Sequence, residues 1–269
     1  MGFALGPRAV AAGYQLAAFD SVDSTNSAAM DAARSGESGP KWFVTTQQTA
    51  GRGRRQRPWV APRGNLASSI LEVMDVPPGT AATLGFAAGL AMATALDRVS
   101  IEARLRAGAG DLRFLLKWPN DILVRKHKLA GILLEAEAVG KSRLAVVVGI
   151  GTNVVAYPEG TPYPATSLAA LGIAIGAEEL FGALSDSWAD YRRIWDNGRG
   201  FDAIRTEWLE HAAGLGEPVS IQSSGEAVTG TFDTIDEAGC LIVRTADGKR
   251  LPIAAGDVFF GPTASVGAT

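Results

Sequence analysis

Four arginines stand among glycines in Gly51-Arg52-Gly53-Arg54-Arg55-Gln56-Arg57-Pro58-Trp59. Glycine lets the backbone come close to a ligand and take up positive φ. Arginine offers a planar fork of donors that matches phosphate and carboxylate. The chemistry this combination suits is wrapping an anionic substrate, although a solvated basic surface loop has the same composition. It is not a P-loop, which needs Gly-x-x-x-x-Gly-Lys-Ser/Thr. A second block, Lys117-Trp118-Pro119-Asn120-Asp121, closes the apolar run Phe114-Leu115-Leu116, where a cation needs a partner. Asp121 is the nearest carboxylate, and an anionic ligand lying between strands would serve as well. Read blandly, the block is a strand end with a Pro-Asn-Asp turn, and Trp118 is core filler. Lys128-Leu129-Ala130-Gly131 places a lysine at the start of an apolar strand, with Gly131 marking a close approach. Gly149-Ile150-Gly151-Thr152-Asn153 is weak alone, because it lacks the third glycine and following helix of a dinucleotide fingerprint.

The elements that must position these blocks follow from pattern. Strands are predicted at 14–19, 42–46, 66–74, 113–118, 121–124, 130–138 and 144–150. Asp23-Ser24-Thr25-Asn26 is rich in N-cap residues and starts a helix that ends near Arg34. After the break at Pro77-Pro78-Gly79, residues 83–99 read as a long apolar helix with Leu84, Ala88, Ala91 and Ala95 on one face, packed closely on a sheet. Two amphipathic helices are predicted at 178–195 and 201–211. Arg125-Lys126-His127-Lys128 is a hairpin turn, 107–111 a glycine-rich turn, and residues 1–13 a loose lead-in. From Val219 the chain changes to short strands, with turns at Ser223-Ser224-Gly225, 236–239 and Asp247-Gly248, a pattern that suits a small β-barrel. The expected fold is α+β: a mixed, mostly antiparallel sheet with helices over residues 1–215, a small C-terminal β module over 216–262, and a disordered tail over 263–269.

Composition narrows the function classes. With 47% hydrophobic and 20% charged residues the chain is globular. A formal net charge of -3 argues against a general binder of nucleic acid or anionic membrane. Cys240 is the single cysteine, and His127 and His211 are the two histidines. No intrachain disulfide, cysteine zinc site or histidine-rich metal site is expected, and no Ser-His-Asp triad. The N-terminus has no continuous apolar h-region, and runs such as 144–150 are too short to cross a bilayer, so a soluble cytoplasmic protein is expected.

Taken in order, Asp23-Ser24-Thr25-Asn26, Gln48-Thr49-Ala50-Gly51-Arg52-Gly53-Arg54-Arg55, Trp59, Lys117-Trp118-Pro119-Asn120-Asp121, Lys128-Leu129-Ala130-Gly131 and Gly149-Ile150-Gly151-Thr152-Asn153 resemble the biotin–protein ligase family. The resemblance covers roughly residues 20–260 and extends to that family's C-terminal SH3-like module. Its catalytic domain is of the class II synthetase-like kind. It implies an ATP-dependent ligase that converts biotin and MgATP into biotinyl-5′-AMP and then passes biotin to a lysine of a biotin carboxyl carrier domain. Only 22 residues precede Asp23, too few for the winged-helix DNA-binding domain of regulatory members, so no DNA partner and no membrane partner are expected. Family members often dimerise through the sheet of the catalytic domain, which leaves a homodimer open.

The same resemblance assigns roles. Arg52, Arg54 and Arg55, with Gly51 in their loop, would fold over biotin and the phosphates. Lys117 would bridge the biotin carboxylate and the α-phosphate, while Lys128 would hold the phosphate or carboxyl side. Ser24, Thr25 and Gln48 would hydrogen-bond the biotin ureido ring, with Asn26 and Gly131 also on the biotin side. Trp59, Asn120 and Asn153 would contact the adenylate. Asp121 would be the Mg²⁺-side or lysine-activating carboxylate, and Lys117, Arg52 and Asp121 form the catalytic set. No protein metal site is implied beyond the Mg²⁺ that accompanies ATP. The nearest rival is a lipoate–protein ligase or octanoyltransferase, which carries Arg-Arg-x-Ser-Gly-Gly-Gly-x-Val where this chain has 51–57 without a glycine triplet. A non-catalytic adenylate-binding regulator is the rival from a different class.

Overall fold

The structure, a computed structural model, describes residues 2–106, 112–140, 142–161, 163–222 and 227–261. The glycine-rich turn at 107–111, the turn at Ser223-Ser224-Gly225 and the tail at 263–269 lie outside the described residues. The chain runs α1 (Pro7–Ala11), β1 (Gln15–Phe19), α2 (Thr25–Arg34), β2 (Lys41–Thr45), β3 (Leu66–Met74), α3 (Pro78–Ala82), α4 (Leu84–Arg106), β4 (Leu115–Lys117), β5 (Asp121–Val124), β6 (His127–Val139), β7 (Arg143–Thr152), α5 (Ala177–Trp195) and α6 (Phe201–Glu210). It then forms β8 (Pro218–Gln222), β9 (Val228–Ile235), β10 (Leu241–Arg244), β11 (Arg250–Ile253) and β12 (Asp257–Phe260).

Strands β1 to β7 make one seven-stranded sheet in the order β1-β2-β3-β7-β6-β5-β4. Only β1 and β2 pair in parallel; the other neighbours are antiparallel. Alternation along each strand divides the sheet into two faces. Ile70 on β3, Val146 and Val148 on β7, Ile132 on β6 and Ile122 on β5 join the large core with α4 and α5. Phe43, Leu71, Ala145 and Val147 point the other way and meet Ala29, Met30 and Ala33 of α2. Helix α2 covers only part of that second face, and the remainder is left for the site.

From Leu84 to Ala93 helix α4 is apolar on every side because it lies between the sheet and α5, and Leu84, Ala88, Ala91 and Ala95 are all buried. By length and a mean hydropathy of 1.4 the stretch Pro78–Ile101 could cross a bilayer, which corrects the expectation that no apolar run is long enough. Most of it is buried in protein, as in the core helix of a globular domain. Helix α5 closes the layer with Phe181 and Trp188, which meet Trp42 of β2 edge-on at 5.5 and 6.0 Å.

The N-terminal segment is not the loose lead-in expected from its composition. Its short helix α1 is tied to α5: Asp186, 2% exposed, accepts from the backbone N–H of Arg8 (2.8 Å) and Ala9 (3.2 Å), and the Gly6 N–H donates to Ser185 Oγ (2.9 Å). These partners lie about 180 residues away in sequence, so no local pattern announces them. The strand expected at 113–118 is confined to Leu115–Lys117.

The second sheet is antiparallel throughout, in the order β11-β10-β9-β8-β12. Its inward residues Val219, Ile221, Phe232, Leu241, Val243 and Val258 belong to the same core cluster as the large sheet. Contacts that join the units include Trp118 Nε1 donating to the Gly239 carbonyl (3.1 Å) and Arg205 donating to the Ile235 carbonyl (3.1 Å).

Asp186→Ala removes the acceptor that caps α1 and should lower unfolding stability by about 2 kcal/mol, from two lost charge-assisted hydrogen bonds at a buried site. Urea unfolding followed by tryptophan fluorescence checks this. An unchanged midpoint would show that α1 is not part of the cooperative fold.

Candidate functional site

The floor of the site is a stretch of sheet without side chains. Residues in register across the strands run Ala67, Gly151, Gly131, Asp121, Lys117, from β3 through β7, β6 and β5 to β4. Their side chains share one face, so two glycines and an alanine leave a hollow beside the charged pair at the far end. A Cβ on Gly151 would lie 2.5 Å from the Trp59 indole, and one on Gly131 would lie 3.2 Å from it. One row along, a Cβ on Gly149 would lie 2.1 Å from Asn26 Oδ1. Gly149-Ile150-Gly151 is thus neither a tight turn nor a phosphate loop. It is the interior of β7, bare where Asn26 and Trp59 come down onto the sheet.

Helix α2 brings the first polar group. Ser24 Oγ accepts from Ser27 N–H and caps the helix (3.3 Å). Gln48 Oε1 takes the Thr25 N–H (2.9 Å) and the Thr25 hydroxyl (3.2 Å). Ser69 Oγ lies 2.7 Å from Thr25 Oγ1 and 2.6 Å from Asn26 Oδ1, and Asn26 Nδ2 donates to Glu135 Oε2 (2.7 Å). Ser24, Thr25 and Asn26 are each at most 5% exposed. The network fixes a row of small polar groups at one end of the hollow.

The glycine–arginine segment forms the roof. Gly53 N–H donates to the Arg57 carbonyl (2.7 Å) and Trp59 N–H to the Gly51 carbonyl (2.9 Å), so 51–59 is a narrow hairpin and not an open loop. Its base is fastened by Ala50 N–H to the Asp23 carbonyl (2.8 Å). At its tip Arg55 and Gln56 hold φ of 55° and 59°, a left-handed conformation that costs about 1 kcal/mol or more per non-glycine residue. The arginines diverge. Arg52 turns toward α2 and β6, donating to Ser27 Oγ (2.8 Å) and lying 3.5 Å from Glu135. Arg54 donates to Asn120 Oδ1 (3.1 Å) and the Gly256 carbonyl (3.3 Å), and burial lowers its pKa. Arg55 and Arg57 both reach Asp257 at the start of β12, at 3.1 and 2.6 Å.

The lysines behave differently from the sequence expectation. Asp121 is not Lys117's partner: its Oδ1 lies 2.6 Å from Lys128 Nζ. Lys117, 6% exposed, has its ammonium 3.9 Å from the ring centroid of Tyr163 and 5.6 Å from that of Phe260. Burial lowers its pKa, and the charge of Asp121 opposes that shift. Lys128 also sits 5.4 Å from the Trp59 ring.

These groups enclose a cavity of about 450 Å³. Of the residues singled out from sequence, Ser24, Thr25, Asn26, Gln48, Arg52, Arg54, Trp59, Lys117, Asn120, Asp121, Lys128, Gly131 and Asn153 line it. Gly51, which packs against Gln48 and Trp59, and Arg55, which faces Asp257, do not. Buried Asp121 Oδ1 is met only by the Lys128 ammonium at 2.6 Å, and Trp59 Nε1 and Asn153 Oδ1, buried polar atoms of lining residues, have no hydrogen-bond partner among the described residues. Such atoms cost about 1–3 kcal/mol each, which a ligand could offset. The arrangement is an anion-binding chamber with a polar end, an aromatic wall and a cationic end.

Residues 18–153 match the biotin/lipoate A/B protein ligase family, and residues 214–261 match the biotin protein ligase C-terminal domain. A biotin–[acetyl-CoA-carboxylase] ligase of Paracoccus denitrificans is 38% identical over 246 residues, spanning 89% of this chain and 98% of that protein. This chain belongs to the biotin protein ligase family. A second such ligase, from Mycobacterium tuberculosis, is 34% identical and spans 80% of this chain and 77% of that protein. Among solved structures, the biotin protein ligase from Aquifex aeolicus in complex with biotin and ATP superposes with a TM-score of 0.74 at 25% identity, covering 92% of this chain and 99% of that one.

Set beside the family motifs, several lining or supporting residues escaped the sequence reading. Ser69 and Glu135 carried a weak signal, as polar residues inside apolar strands. Arg57, in the same glycine–arginine segment, lines the cavity and pairs with Asp257. Tyr163, Asp257 and Phe260 come from a connecting segment and from β12, where no motif stands.

Asp257→Asn should loosen the tip of the hairpin. Two partly exposed ion pairs at about 0.5 kcal/mol each amount to about a fivefold rise in cleavage by trypsin after Arg54 and Arg55 under native conditions. Identical cleavage rates for the parent and the variant would mean that the hairpin holds its shape without Asp257.

Proposed function

We propose that the cavity is where biotin is adenylated by ATP and then handed to a lysine of a biotin carboxyl carrier domain. The observation that carries this reading is convergence: Lys117, Lys128, Arg52 and Arg54 line one cavity with the polar cluster of α2 and the Trp59 wall. The named ligases of Paracoccus denitrificans and Mycobacterium tuberculosis, alike over most of the chain, support the same reading.

In the first half-reaction the biotin carboxylate oxygen attacks the α-phosphorus. The bond from that phosphorus to the bridging oxygen breaks, and pyrophosphate leaves with the electron pair. Two anions must be brought together, so fixed cations aimed at the meeting point lower the barrier most. Lys117 stands at the far end of the glycine floor and is assigned to the carboxylate and α-phosphate. Arg54, and Arg52 from the other side, are assigned to the phosphates and carboxyl. Ser24, Thr25, Asn26 and Gln48 are assigned to the ureido ring, whose carbonyl and N–H groups need donors and acceptors fixed as these are. Trp59, Asn120 and Asn153 are assigned to the adenylate. ATP enters as its magnesium complex. The magnesium would be held mainly by the triphosphate and water, with Asp121, which lines the cavity, assigned as the carboxylate on its side or as the one that activates the carrier lysine. In the second half-reaction the neutral carrier amine attacks the acyl carbon, AMP leaves with the electron pair, and the amine nitrogen gives up its proton. The hairpin over the cavity keeps water from the anhydride in the interval. We place the reaction in the cytoplasm, where ATP and carrier proteins meet, and with a net charge of -3 we expect no DNA partner.

Pyrophosphate release with MgATP should depend on biotin and not on lipoate, and labelled biotin should appear on a carrier lysine. Release that depends on lipoate would transfer the reading to the sister ligases.

Lys117→Ala should slow adenylation by about 10²–10³-fold in a folded protein. In the parent chain the working form is the cation, and burial lowers its pKa below the ordinary 10.5. The adenylation rate should therefore fall as pH rises through a value below 10.5. A rate that stays flat beyond pH 10.5 would show that the ammonium charge is not used.

A further inference from the structure

The Lys117 ammonium is buried at the cationic end of the cavity, and the nearest strand partner's carboxylate is spent on Lys128. What it touches is the face of Tyr163, 3.9 Å from Nζ to the ring centroid, with Phe260 behind at 5.6 Å. Tyr163 is itself held from the C-terminal module. Its ring packs on Phe259 at 5.2 Å, and its hydroxyl donates to the Val258 carbonyl at 3.4 Å. Strand β12 thereby builds a rack for a side chain of strand β4.

A π face is an unusual choice for a desolvated lysine, and it has a chemical consequence. A carboxylate at that distance would neutralise the ammonium and would repel the two anions that have to meet there. An aromatic ring attracts the cation through its quadrupole while leaving the net charge in place. It also leaves the N–H groups turned away from the ring free to donate. Burial raises the pKa of the Tyr163 phenol, with the charges of Asp257 and Asp121 adding to the shift, so the ring stays neutral.

We infer that Tyr163 is a positioning residue for the first half-reaction: its ring face, fixed by β12, holds the Lys117 ammonium extended into the cavity without neutralising it. This rests on the adenylation reading above. It also gives the C-terminal module a part in catalysis, through Phe259, Phe260 and the Val258 carbonyl.

The test is steady-state and single-turnover pyrophosphate release by the full chain with biotin and MgATP, comparing the parent with Tyr163→Phe, Tyr163→Leu and a chain carrying 3,4,5-trifluorophenylalanine at 163. The trifluoro ring matches phenylalanine closely in shape but has a weakened face, so it separates ring electrostatics from packing even where the leucine chain folds poorly. Biotin-dependent release by the parent tests the adenylation reading by itself; given that release, the variants decide the role of Tyr163. Phenylalanine should keep at least about a third of the parent kcat, the trifluoro ring should fall about three- to tenfold below phenylalanine, and leucine should fall about tenfold or more, with KM for biotin and ATP within about threefold throughout. Equal kcat for the phenylalanine and trifluoro chains would overturn the inference. So would a raised KM for ATP with kcat kept, which would make Tyr163 a wall of the nucleotide site.

Discussion

Crowding of like charge is the constraint on which the rest of this structure turns. Lys117, Lys128, Arg52 and Arg54 line one cavity, and unit charges held a few ångströms apart in a partly desolvated space repel strongly. The protein does not solve this with one large counter-charge, which would fill the place of the substrate anions. It gives each cation a separate restraint. Lys128 leans on Asp121, Arg52 on Glu135 and Ser27, Arg54 on Asn120 and a backbone carbonyl, and Lys117 on an aromatic face. Arg57 also lines the cavity, and Asp257 holds it together with Arg55, which lies outside. Of the five cations that line the cavity, Lys117 and Arg54 thus keep their charge without an ion pair among the described residues, and both are among those assigned to the reacting groups.

Restraints of that kind need a rigid frame, and the sheet provides one at the cost of side chains. Gly131 and Gly151 face each other across β6 and β7, in the middle of the sheet and not at a turn. Glycine in a strand interior forfeits packing and entropy. Here the loss is offset because Trp59 fills the gap from above and because β3, β7 and β6 are long strands, each paired on both sides. The same frame fixes the distance between the polar head of α2 and Lys117: both hang from one face, a few strands apart, so backbone pairing sets their separation.

Much of this could be read from the residues. Strand β3 at 66–74, strand β5 at 121–124 and the start of α2 came directly from alternation and capping, because their signals are local. Most of the residues named for the site do gather on one cavity, because strand register and the cap of α2 bring the motifs to one face of the sheet. What escaped shares one physical cause. Asp186 capping α1, Asp257 holding the hairpin, and Tyr163 against Lys117 are contacts between segments distant in sequence, made by residues that no local pattern marks. Lys117 has Asp121, four residues on and on the paired strand, as its nearest carboxylate in sequence. They face each other in register, yet Lys128 is closer to the carboxylate because the β5–β6 hairpin folds it back.

The C-terminal module shows why a small β domain can matter to a reaction while lending no acid, base or nucleophile. Its β12 edge contributes Asp257, which fixes where the hairpin tip lies, and Phe260, which stands behind Lys117. Both act on side chains of the larger domain and not on the substrate. The module's own position is fixed by its shared core and by Trp118, whose indole reaches the Gly239 carbonyl from the residue next to Lys117. A displacement of β12 would therefore move both the roof and the far wall of the cavity. The two families of residues matched by this chain, 18–153 and 214–261, meet at Lys117, and the geometry of that one ammonium depends on both.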